Sequence, residues 1–357
     1  MAKVFFARVT SYSDTEKVNA AARKVLDALA KENLEAKFEG ALPVKVHFGE
    51  KGNNRFIEPK NFESTIKWLQ EKNPKARLFF ADTNSLYKGA RTFKADHEEI
   101  AREHGFTSLP VIISDGDHGE EFIEVELPKK EGEGTKHFKK FLIGKELAEK
   151  EGMIVLAHFK GHIIAGFGGA IKQLAMGCAS RGGKMAQHSN SKVFIEERLC
   201  KKCKLCVQSC PADAIFIGEK SIIDPLKCIG CATCLAVCPT GAVKREPSKG
   251  GEKDFLERLA EYALAATFTP KGKKKKILYI NFALNIAKYC DCMDSKQKLV
   301  AKDVGVLAST DPVAIDQACL DLLEKQKHRK IFGGYHAVEY AEKIGLGSRV
   351  YDLIEIK

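Results

Sequence analysis

The feature of the sequence that most constrains its fold is a regular array of cysteines between positions 200 and 238. The chain has 357 residues and 12 cysteines, and eight of these fall into two copies of one spacing, Cys-x2-Cys-x2-Cys-x3-Cys-Pro. The first copy begins at Cys200 and the second at Cys228, an offset of 28 residues. Two thiol-rich repeats this close together predict a small unit of their own, built around sulfur atoms.

This spacing is typical of bacterial-type ferredoxins, and it predicts two [4Fe–4S] clusters. Three closely spaced cysteines wrap one cluster, and the fourth cysteine of each motif crosses to the other. The first predicted cluster takes Cys200, Cys203, Cys206 and Cys238, and the second takes Cys210, Cys228, Cys231 and Cys234. Structural zinc sites use pairs of cysteines rather than tandem triplets followed by Cys-Pro. Disulfides are disfavoured in a reducing compartment.

The first cysteine loop is basic, because it carries Lys201, Lys202 and Lys204, whereas the second loop has no charged residue at the matching positions. We hypothesise that the basic loop is the docking side for an acidic electron carrier such as a ferredoxin or flavodoxin. In the alternative, these lysines only keep the surface soluble.

Outside the cysteine segment, strand-like apolar runs alternate with amphipathic helical patterns. The runs are KVFFARV, LPVKVHF, ARLFFAD, LPVIISD, FIEVELP, MIVLAHF, KKILYINFA and VGVLAS. This alternation predicts an α/β fold, with a mostly parallel sheet and helices on both faces. The length favours more than one domain. We predict an α/β domain formed by residues 1–197 and 247–357, with a small α+β ferredoxin-like domain inserted at 198–246 between the turn-rich flanks RGGKMAQHSNS and PSKGGEK.

The formal net charge is +11, and hydrophobic residues make up 44% of the chain. Two clusters with their thiolates would lower the charge to roughly +7. The run Lys271–Lys276 is interpreted as a solvated loop, because no aromatic residues interleave with its lysines, and nucleic acid is an unlikely partner. No apolar stretch reaches the length of a spanning helix. We therefore expect a soluble, cytoplasmic protein that does not bind membranes.

Polar side chains gather where several predicted strands end. Ligands of open α/β sheets bind beyond the carboxyl ends of the strands. Alternation puts Lys45 and His47 on one face of the second predicted strand. The other polar residues of this kind are Asp82, Thr83, Asn84, Asp115, Asp117, His118, His158, Lys160, His162, Ser309, Thr310 and Asp311. We predict that they share one cleft, although Asp311 before Pro312 is also a typical helix N-cap.

Four cysteines lie outside the array. Cys290 and Cys292 follow a predicted strand with one acidic residue between them. They could bind a metal, react with sulfur compounds, or be inert thiols. Cys319 falls on the apolar face of a helix and is expected in the core. The sequence assigns no role to Cys178.

The stretch GHIIAGFGGAIK, residues 161–172, combines a histidine, a glycine run and a lysine. Gly166, Gly168 and Gly169 at a strand-to-helix turn would present backbone N–H groups, and Lys172 would add charge in the first helical turn. This combination predicts a site for a phosphate or carboxylate. The alternative is a tight turn with a surface lysine. The third glycine of a dinucleotide fingerprint is missing, because position 171 is isoleucine.

The whole chain resembles the DUF362 family of unknown function in its ferredoxin-bearing form. The resemblance rests on VKVHFGEKGN, FKGHIIAGFGGAIKQLAMGCASRGGK, the cysteine array, CDC and STDPVAIDQAC. The central segment is also similar to the lactate racemase family, which uses a nickel-pincer nucleotide on 2-hydroxy acids. That resemblance implies that His162 is a proton-transfer base, that Lys172 anchors the cofactor covalently, and that His188 binds nickel. The family's second catalytic histidine has no counterpart near Asp82.

Three functions follow from these features. The first is an oxidoreductase in which the clusters pass electrons to an anionic small molecule in the α/β cleft, with His162, Lys172, His188, Cys290 and Cys292 as its reactive residues and its substrate unknown. The second is an electron carrier or assembly partner without chemistry of its own. The third is a racemase-like enzyme with a nickel-pincer cofactor. A further metal or a nucleotide-type cofactor in the cleft is therefore also expected.

Overall fold

The computed structural model describes residues 1–32, 37–188, 193–210, 212–228, 230–245 and 251–357. Pro211 of the first cysteine motif and Glu246, the predicted end of the insertion, lie outside the described residues. No helix in these ranges is both long enough and apolar enough to cross a membrane.

An eight-stranded sheet forms the centre of the molecule. Its strands are β1 (Ala2–Arg8), β2 (Gly40–Lys45), β3 (Ala76–Asp82), β4 (Val111–Ile113), β5 (Gly152–His158), β6 (Lys276–Ala283), β7 (Gly305–Ser309) and β8 (Tyr351–Glu355). Their order across the sheet is β8-β1-β7-β6-β5-β2-β3-β4. Every neighbouring pair is parallel except the two pairs that include β7. The predicted α/β fold with a mostly parallel sheet is confirmed.

The direction of β7 corrects one expectation about the cleft. Because β7 runs antiparallel to β6, Gly305 at its start pairs with Ala283 at the end of β6. Ser309, Thr310 and Asp311 therefore lie at the opposite edge of the sheet from the ends of β2, β3, β5 and β6. Asp311 instead caps the helix that follows, where its side chain accepts hydrogen bonds from the N–H groups of Val313 and Ala314.

Eight helices of eight residues or more pack on the sheet within the described ranges. They are α1 (Thr15–Lys31), α2 (Glu63–Lys72), α3 (Lys94–Glu103), α4 (Ala170–Cys178), α5 (Arg181–His188), α6 (Gly251–Ala266), α7 (Pro312–Lys327) and α8 (Tyr335–Lys343). One core contains buried residues of α1, α2 and α3. The other contains buried residues of α4, α6, α7 and α8. Helices thus cover both faces, as the alternating pattern predicts.

Helix α5 corrects the interpretation of RGGKMAQH as turn-rich. Ser180 precedes the helix, and its hydroxyl accepts a hydrogen bond from Gly183 N–H at 3.3 Å. The two glycines of helix α5, Gly182 and Gly183, permit close packing and do not form a turn. A β-carbon at Gly182 would lie 2.8 Å from the carbonyl oxygen of Gly230, and one at Gly183 would lie 2.5 Å from that of Leu142.

The segment that carries the cysteine motifs leaves and rejoins the larger unit through a pair of antiparallel strands, Val193–Ile195 and Val243–Arg245. A second two-stranded ribbon, Ile215–Ile217 with Ser221–Ile223, lies between them. Two short helices, Leu205–Gln208 and Thr233–Val237, complete the segment. Its small core contains Cys206, Ile215, Cys234 and Val243. The limits 198 and 246 of a separate domain remain a prediction.

Candidate functional site

The eight motif cysteines surround two small cavities. The first cavity is lined by Cys200, Cys203, Cys206 and Cys238. The second is lined by Cys210, Cys228, Cys231 and Cys234. Each set takes three cysteines from one motif and one from the other, which is the crossed arrangement that the spacing predicts.

The backbone of both cysteine loops is wound tightly around these cavities. Lys202, Lys204, Gly230 and Ala232 all have positive φ angles, between 53° and 71°. Such left-handed residues turn a chain sharply and aim successive N–H groups inward. All 12 cysteines are free thiols. The sets could therefore hold a group larger than one ion, because no four of these sulfur atoms form a group tight enough for a single metal ion within the described residues.

A third cavity, of about 260 Å³, lies at the carboxyl edge of the sheet. Four of the predicted reactive residues line it, namely His162, Lys172, His188 and Cys292, together with His47. Lys45 does not line it, because its ammonium group is buried and lies 2.9 Å from Asp82 Oδ1. Of the residues expected to share one cleft, only His47, Asp82, Thr83 and His162 line this cavity, and the others in that set do not.

Cys290 lies directly behind this cavity, with its thiol buried. Its sulfur is 3.5 Å from Lys172 Nζ and 3.4 Å from the backbone nitrogen of Cys292. A hydrogen bond from the Cys292 thiol holds the pKa of Cys290 well below its ordinary value, and the Lys172 charge lowers it further against the opposing effect of burial. The same contact raises the pKa of Cys292. The two thiols therefore share one proton, and Cys290 carries the charge.

Asp291, between the two cysteines, fixes the position of their loop. Its buried carboxylate lies 2.9 Å from His158 Nδ1 and 2.9 Å from Lys160 Nζ. The backbone carbonyl of Asp291 accepts a hydrogen bond from Glu50 N–H at 2.9 Å. With the intervening side chain anchored in this way, the loop holds Cys292 at the cavity and Cys290 buried behind it.

His162, Cys290 and Cys292 are the only described group of three or more such residues close enough to hold a single metal ion, with ligand atoms within 4.8 Å of one another. The hydrogen bonds of His162 disfavour that role. Its Nδ1 accepts bonds from Ile164 N–H at 3.2 Å and Ala165 N–H at 2.9 Å. A neutral ring then carries its proton on Nε2, where a metal would need a lone pair. His162 is thus placed to donate a hydrogen bond to the Cys290 sulfur.

The other two histidines of the cavity are also uncharged. Burial lowers the pKa of His188 to about 3, with a further contribution from Arg245. The His188 ring stacks on Phe255 with 4.9 Å between ring centroids. Burial, followed by the charge of Arg91, holds the pKa of His47 well below its usual range. Nδ1 of His47 accepts a hydrogen bond from Gly49 N–H at 2.9 Å.

The fixed charges at the cavity are mainly positive. Arg91, Lys172 and Lys184 line it, and Asp82 is the one carboxylate among the described residues of its wall. Arg91 also lies 3.3 Å from Glu50 Oε2 and 3.6 Å from Asp82 Oδ2. Asp82 is already paired with Lys45, and this partner helps hold its pKa well below the ordinary value although burial acts in the opposite direction. An anionic ligand is therefore favoured over a cationic one. Leu86, Ile163, Ile164, Met176, Phe255 and Met293 form an apolar wall beside these charges.

The glycine-rich turn does not offer the anion site that its sequence predicts. The carboxylate of Asp316 accepts hydrogen bonds from Ala170 N–H at 2.8 Å and Ile171 N–H at 2.9 Å, so the start of α4 is already occupied. Gly169 is required because a β-carbon there would overlap the Asp316 carboxylate. Gly166, with φ +75°, is required because a β-carbon would overlap the Gly333 backbone. Gly168 lies in a short ribbon beside them.

The second cysteine set lies next to the cavity. Ala232 of its loop packs with Leu86 and Met185 in one buried cluster, and Leu86 also lines the cavity. The hydroxyl of Thr233 donates to the carbonyl of His118 at 3.2 Å. Arg181 is fully buried at this junction and donates from Nε to the carbonyl of Ser85 at 3.0 Å.

Sequence reasoning missed several residues that build the site. Arg91 stands in a loop without a recognisable motif. Arg181 and Lys184 stand at the end of a stretch that carries the family resemblance, but no spacing assigned a role to either. Asp316 looked like an ordinary polar position of an amphipathic helix, and its partner in α4 is 146 residues away in the chain. The acidic residue after Pro312-Val-Ala-Ile in an otherwise apolar helical face was the one available signal.

Comparison with known proteins identifies the family of the chain. The family model described as Domain of unknown function (DUF362) matches residues 43–321. A protein from Thermotoga maritima is similar in structure, with a TM-score of 0.39 and 12% identity over 92% of this chain and 59% of that chain. The lactate racemase apoprotein from Thermoanaerobacterium thermosaccharolyticum has a TM-score of 0.38 and 15% identity over 78% of this chain and 50% of that chain. The chain thus spans between half and three fifths of those proteins. No curated protein matches it.

Proposed function

Because the chain belongs to the DUF362 family, whose description states no activity, we propose a function from the arrangement of its own residues. The protein is an iron–sulfur protein with two [4Fe–4S] clusters that transfers electrons to an anionic compound in the cavity of its α/β domain. One observation carries this proposal. Each of the two cysteine cavities combines three thiols of one motif with the fourth thiol of the other.

The residues present fit such clusters. Cys200, Cys203, Cys206 and Cys238 would hold one, and Cys210, Cys228, Cys231 and Cys234 would hold the other. The left-handed residues of both loops let the backbone curve around a bulky group. Bound clusters would supply one-electron transfer, which no side chain of the cavity performs alone. Free thiols throughout the chain fit a reducing, cytoplasmic location.

The exposed side of the first cysteine set fits an electron-carrying partner. Lys201, Lys202 and Lys204 are exposed. Cys203 is the exposed cysteine of the first set. Leu205 beside them is 41% exposed. A positive surface around a partly apolar centre suits an acidic ferredoxin or flavodoxin, since charge steers encounter and apolar area stabilises the contact. The second set then stands between this surface and the cavity.

One further observation favours a second candidate function. His162, Lys172 and His188, the residues that resemble the lactate racemase segment, all line the one cavity. A nickel-pincer cofactor attached to Lys172 and acting on a 2-hydroxy acid would use the same side chains. The hydrogen bonds that Nδ1 of His162 accepts, and the thiolate of Cys290 beside Lys172, fit that chemistry less well.

The test is to purify the protein without oxygen. Iron and nickel are then measured by elemental mass spectrometry, and labile sulfide by a colorimetric assay. Two clusters predict about eight irons and eight sulfides per chain. Reductive titration should then add about two electrons per chain. Iron well below this level in protein assembled with iron and sulfide would contradict the proposal. Nickel near one per chain, with an adduct on the peptide that contains Lys172, would favour the second candidate.

A further inference from the structure

We propose that Cys290 and Cys292 form a dithiol–disulfide couple that exchanges with a small anionic disulfide bound in the cavity. The inference deepens the proposed function, because it names the group that receives the electrons and the class of compound that is reduced.

The geometry of the pair fits a reversible disulfide. The two sulfur atoms lie within 4.8 Å of each other, on a loop that is held by the carboxylate of Asp291. A disulfide needs about 2.05 Å between sulfurs. Cys292 is exposed and lines the cavity, so its side chain is free to rotate toward the buried Cys290.

The surroundings favour thiol chemistry over metal binding. Lys172 Nζ, 3.5 Å from the Cys290 sulfur, would repel a cation bound there. Nδ1 of His162 accepts hydrogen bonds from two backbone N–H groups, so the ring proton lies on Nε2. His162 therefore cannot act as the third metal ligand beside the two cysteines. A thiolate needs the opposite conditions, namely a positive charge and hydrogen-bond donors, and both are present.

The cavity suits a small anionic ligand at the exposed thiol. Lys172, Lys184 and Arg91 supply positive charge, and Ile163, Met176 and Met293 are among the apolar residues that could cover the carbon skeleton. A volume of about 260 Å³ admits a small molecule and excludes a folded protein chain. The ligand class is therefore a low-molecular-weight disulfide that carries carboxylate groups.

The exchange balances in atoms and charge. The Cys292 sulfur attacks one sulfur of the ligand, its proton passes to the Cys290 thiolate, and the first half of the ligand leaves as a thiolate. Cys290 then attacks the Cys292 sulfur, its proton passes to a released thiolate, and the second half leaves. The products are the Cys290–Cys292 disulfide, one ligand thiol and one ligand thiolate.

Two electrons and one proton return the disulfide to one thiol and one thiolate. The reductant is a pair of one-electron equivalents from the iron–sulfur clusters. This delivery of electrons rests on the proposed function. The two-electron couple matches two one-electron centres. Ala232 of the second cysteine loop packs on Leu86, which lines the cavity.

The test treats the complete, oxygen-free protein with 5,5′-dithiobis(2-nitrobenzoate), an anionic disulfide whose released thiolate is yellow. Wild-type protein should release about two thiolates per chain, and the peptide that contains residues 290–292 should lose two hydrogens in mass. Cys292→Ser should release one thiolate or fewer, with no such mass loss. Cys178→Ala is the matched control, because that thiol is buried away from the cavity, and it should behave as wild type.

Two results would overturn the inference. One is a wild-type peptide that keeps both thiols while thiolate is released elsewhere. The other is about one zinc per chain that is lost in Cys292→Ser, which would make the group a metal site. Treatment of the protein with a low-potential reductant, combined with the iron measurement, then separates failure of this inference from failure of the proposed function. If the disulfide forms but iron is absent, electron delivery by clusters fails and the couple stands. If iron is present and no disulfide forms, the couple fails alone.

Discussion

Cys290 is the residue on which the chemistry of the cavity converges. A positive side chain, a backbone N–H and a neighbouring thiol all approach its sulfur, at 3.5 Å for Lys172 Nζ and 3.4 Å for the Cys292 nitrogen. Burial works to lower the pKa of Lys172, but the negative charge on the Cys290–Cys292 pair outweighs it, so the net shift is upward. Each partner thus favours the charged form of the other.

Replacing Lys172 with methionine should raise the pKa of Cys290, because the charge that stabilises its thiolate is removed. The apparent pKa read from the pH profile of Cys290 alkylation by iodoacetamide should therefore rise, by about one unit if the lost contact is worth roughly 1.4 kcal/mol. Peptide mass spectrometry at timed intervals measures the alkylation rate at each pH. Lys288→Met, at an exposed lysine outside the cavity, is the control. An unchanged pH profile of alkylation in Lys172→Met would show that Lys172 does not stabilise the thiolate.

For single residues, the sequence predicted those groupings that depend on spacing along the chain. The eight motif cysteines sort into the two expected sets because the distance along the chain dictates which thiols meet. Cys290 and Cys292 stood out for the same reason. Lys45 was expected to face a ligand, but alternation along a strand gives only the face, and the partner Asp82 comes from another strand.

Helix α4 shows how one element is fixed in the site. Its first N–H groups are bonded to the buried carboxylate of Asp316 on α7, and Asn281 of β6 donates to the same carboxylate at 2.7 Å. The helix therefore holds Lys172 in place without an anionic ligand. Burial raises the pKa of Asp316 to about 6, although these hydrogen bonds act to lower it.

Asp316→Ala should destabilise the fold, because it removes the acceptor of the Ala170 and Ile171 N–H groups and leaves Asn281 with only the sulfur of Cys319 at 3.6 Å. Each orphaned donor costs roughly 1–3 kcal/mol, so the loss should be about 2 kcal/mol or more. The midpoint of urea unfolding, followed through the fluorescence of the buried Trp68, measures it. Asp321→Ala on the exposed side of the same helix should change stability by less than about 1 kcal/mol. Equal effects of the two substitutions would refute this role of Asp316.

Most elements of the larger unit were predictable, because apolar runs and amphipathic patterns report burial directly. The direction of β7 could not be predicted, because an apolar run in the sequence indicates a buried strand but not whether that strand is parallel or antiparallel to its neighbours. The helix α5 was missed because Gly182 and Gly183 resemble turn residues. Only the approach of Gly230 and Leu142 explains why small residues are needed there.

At the scale of the whole molecule, a basic, cysteine-lined surface and a cavity with positive side chains lie on either side of the second cysteine loop. The first cysteine set faces solvent through Cys203, and the second packs toward the cavity through Ala232. In the proposed function, this order would give electrons an entry side and a destination. The sequence predicted both ends and their closeness along the chain, but only the fold shows that Leu86 lies between them.

Changing Lys201, Lys202 and Lys204 together to glutamine should slow reduction by an acidic one-electron carrier. We expect about a tenfold slower second-order rate at low salt and a weaker dependence on salt, because steering by these charges is lost. Stopped-flow absorbance of the iron–sulfur chromophore measures the rate. The control changes the exposed lysines of the other basic run, Lys271, Lys273 and Lys274, to glutamine and should leave the rate unchanged. If both triple variants slow alike, net charge alone matters and docking at the first loop is excluded.

The central claim is that two iron–sulfur clusters occupy the two crossed cysteine sets. Diffraction from anaerobically grown crystals, recorded on both sides of the iron absorption edge, tests it most directly. Two strong iron peaks are expected, one inside Cys200, Cys203, Cys206 and Cys238 and the other inside Cys210, Cys228, Cys231 and Cys234. A single zinc-type atom in either set, or iron only beside His162 and Cys290, would contradict it.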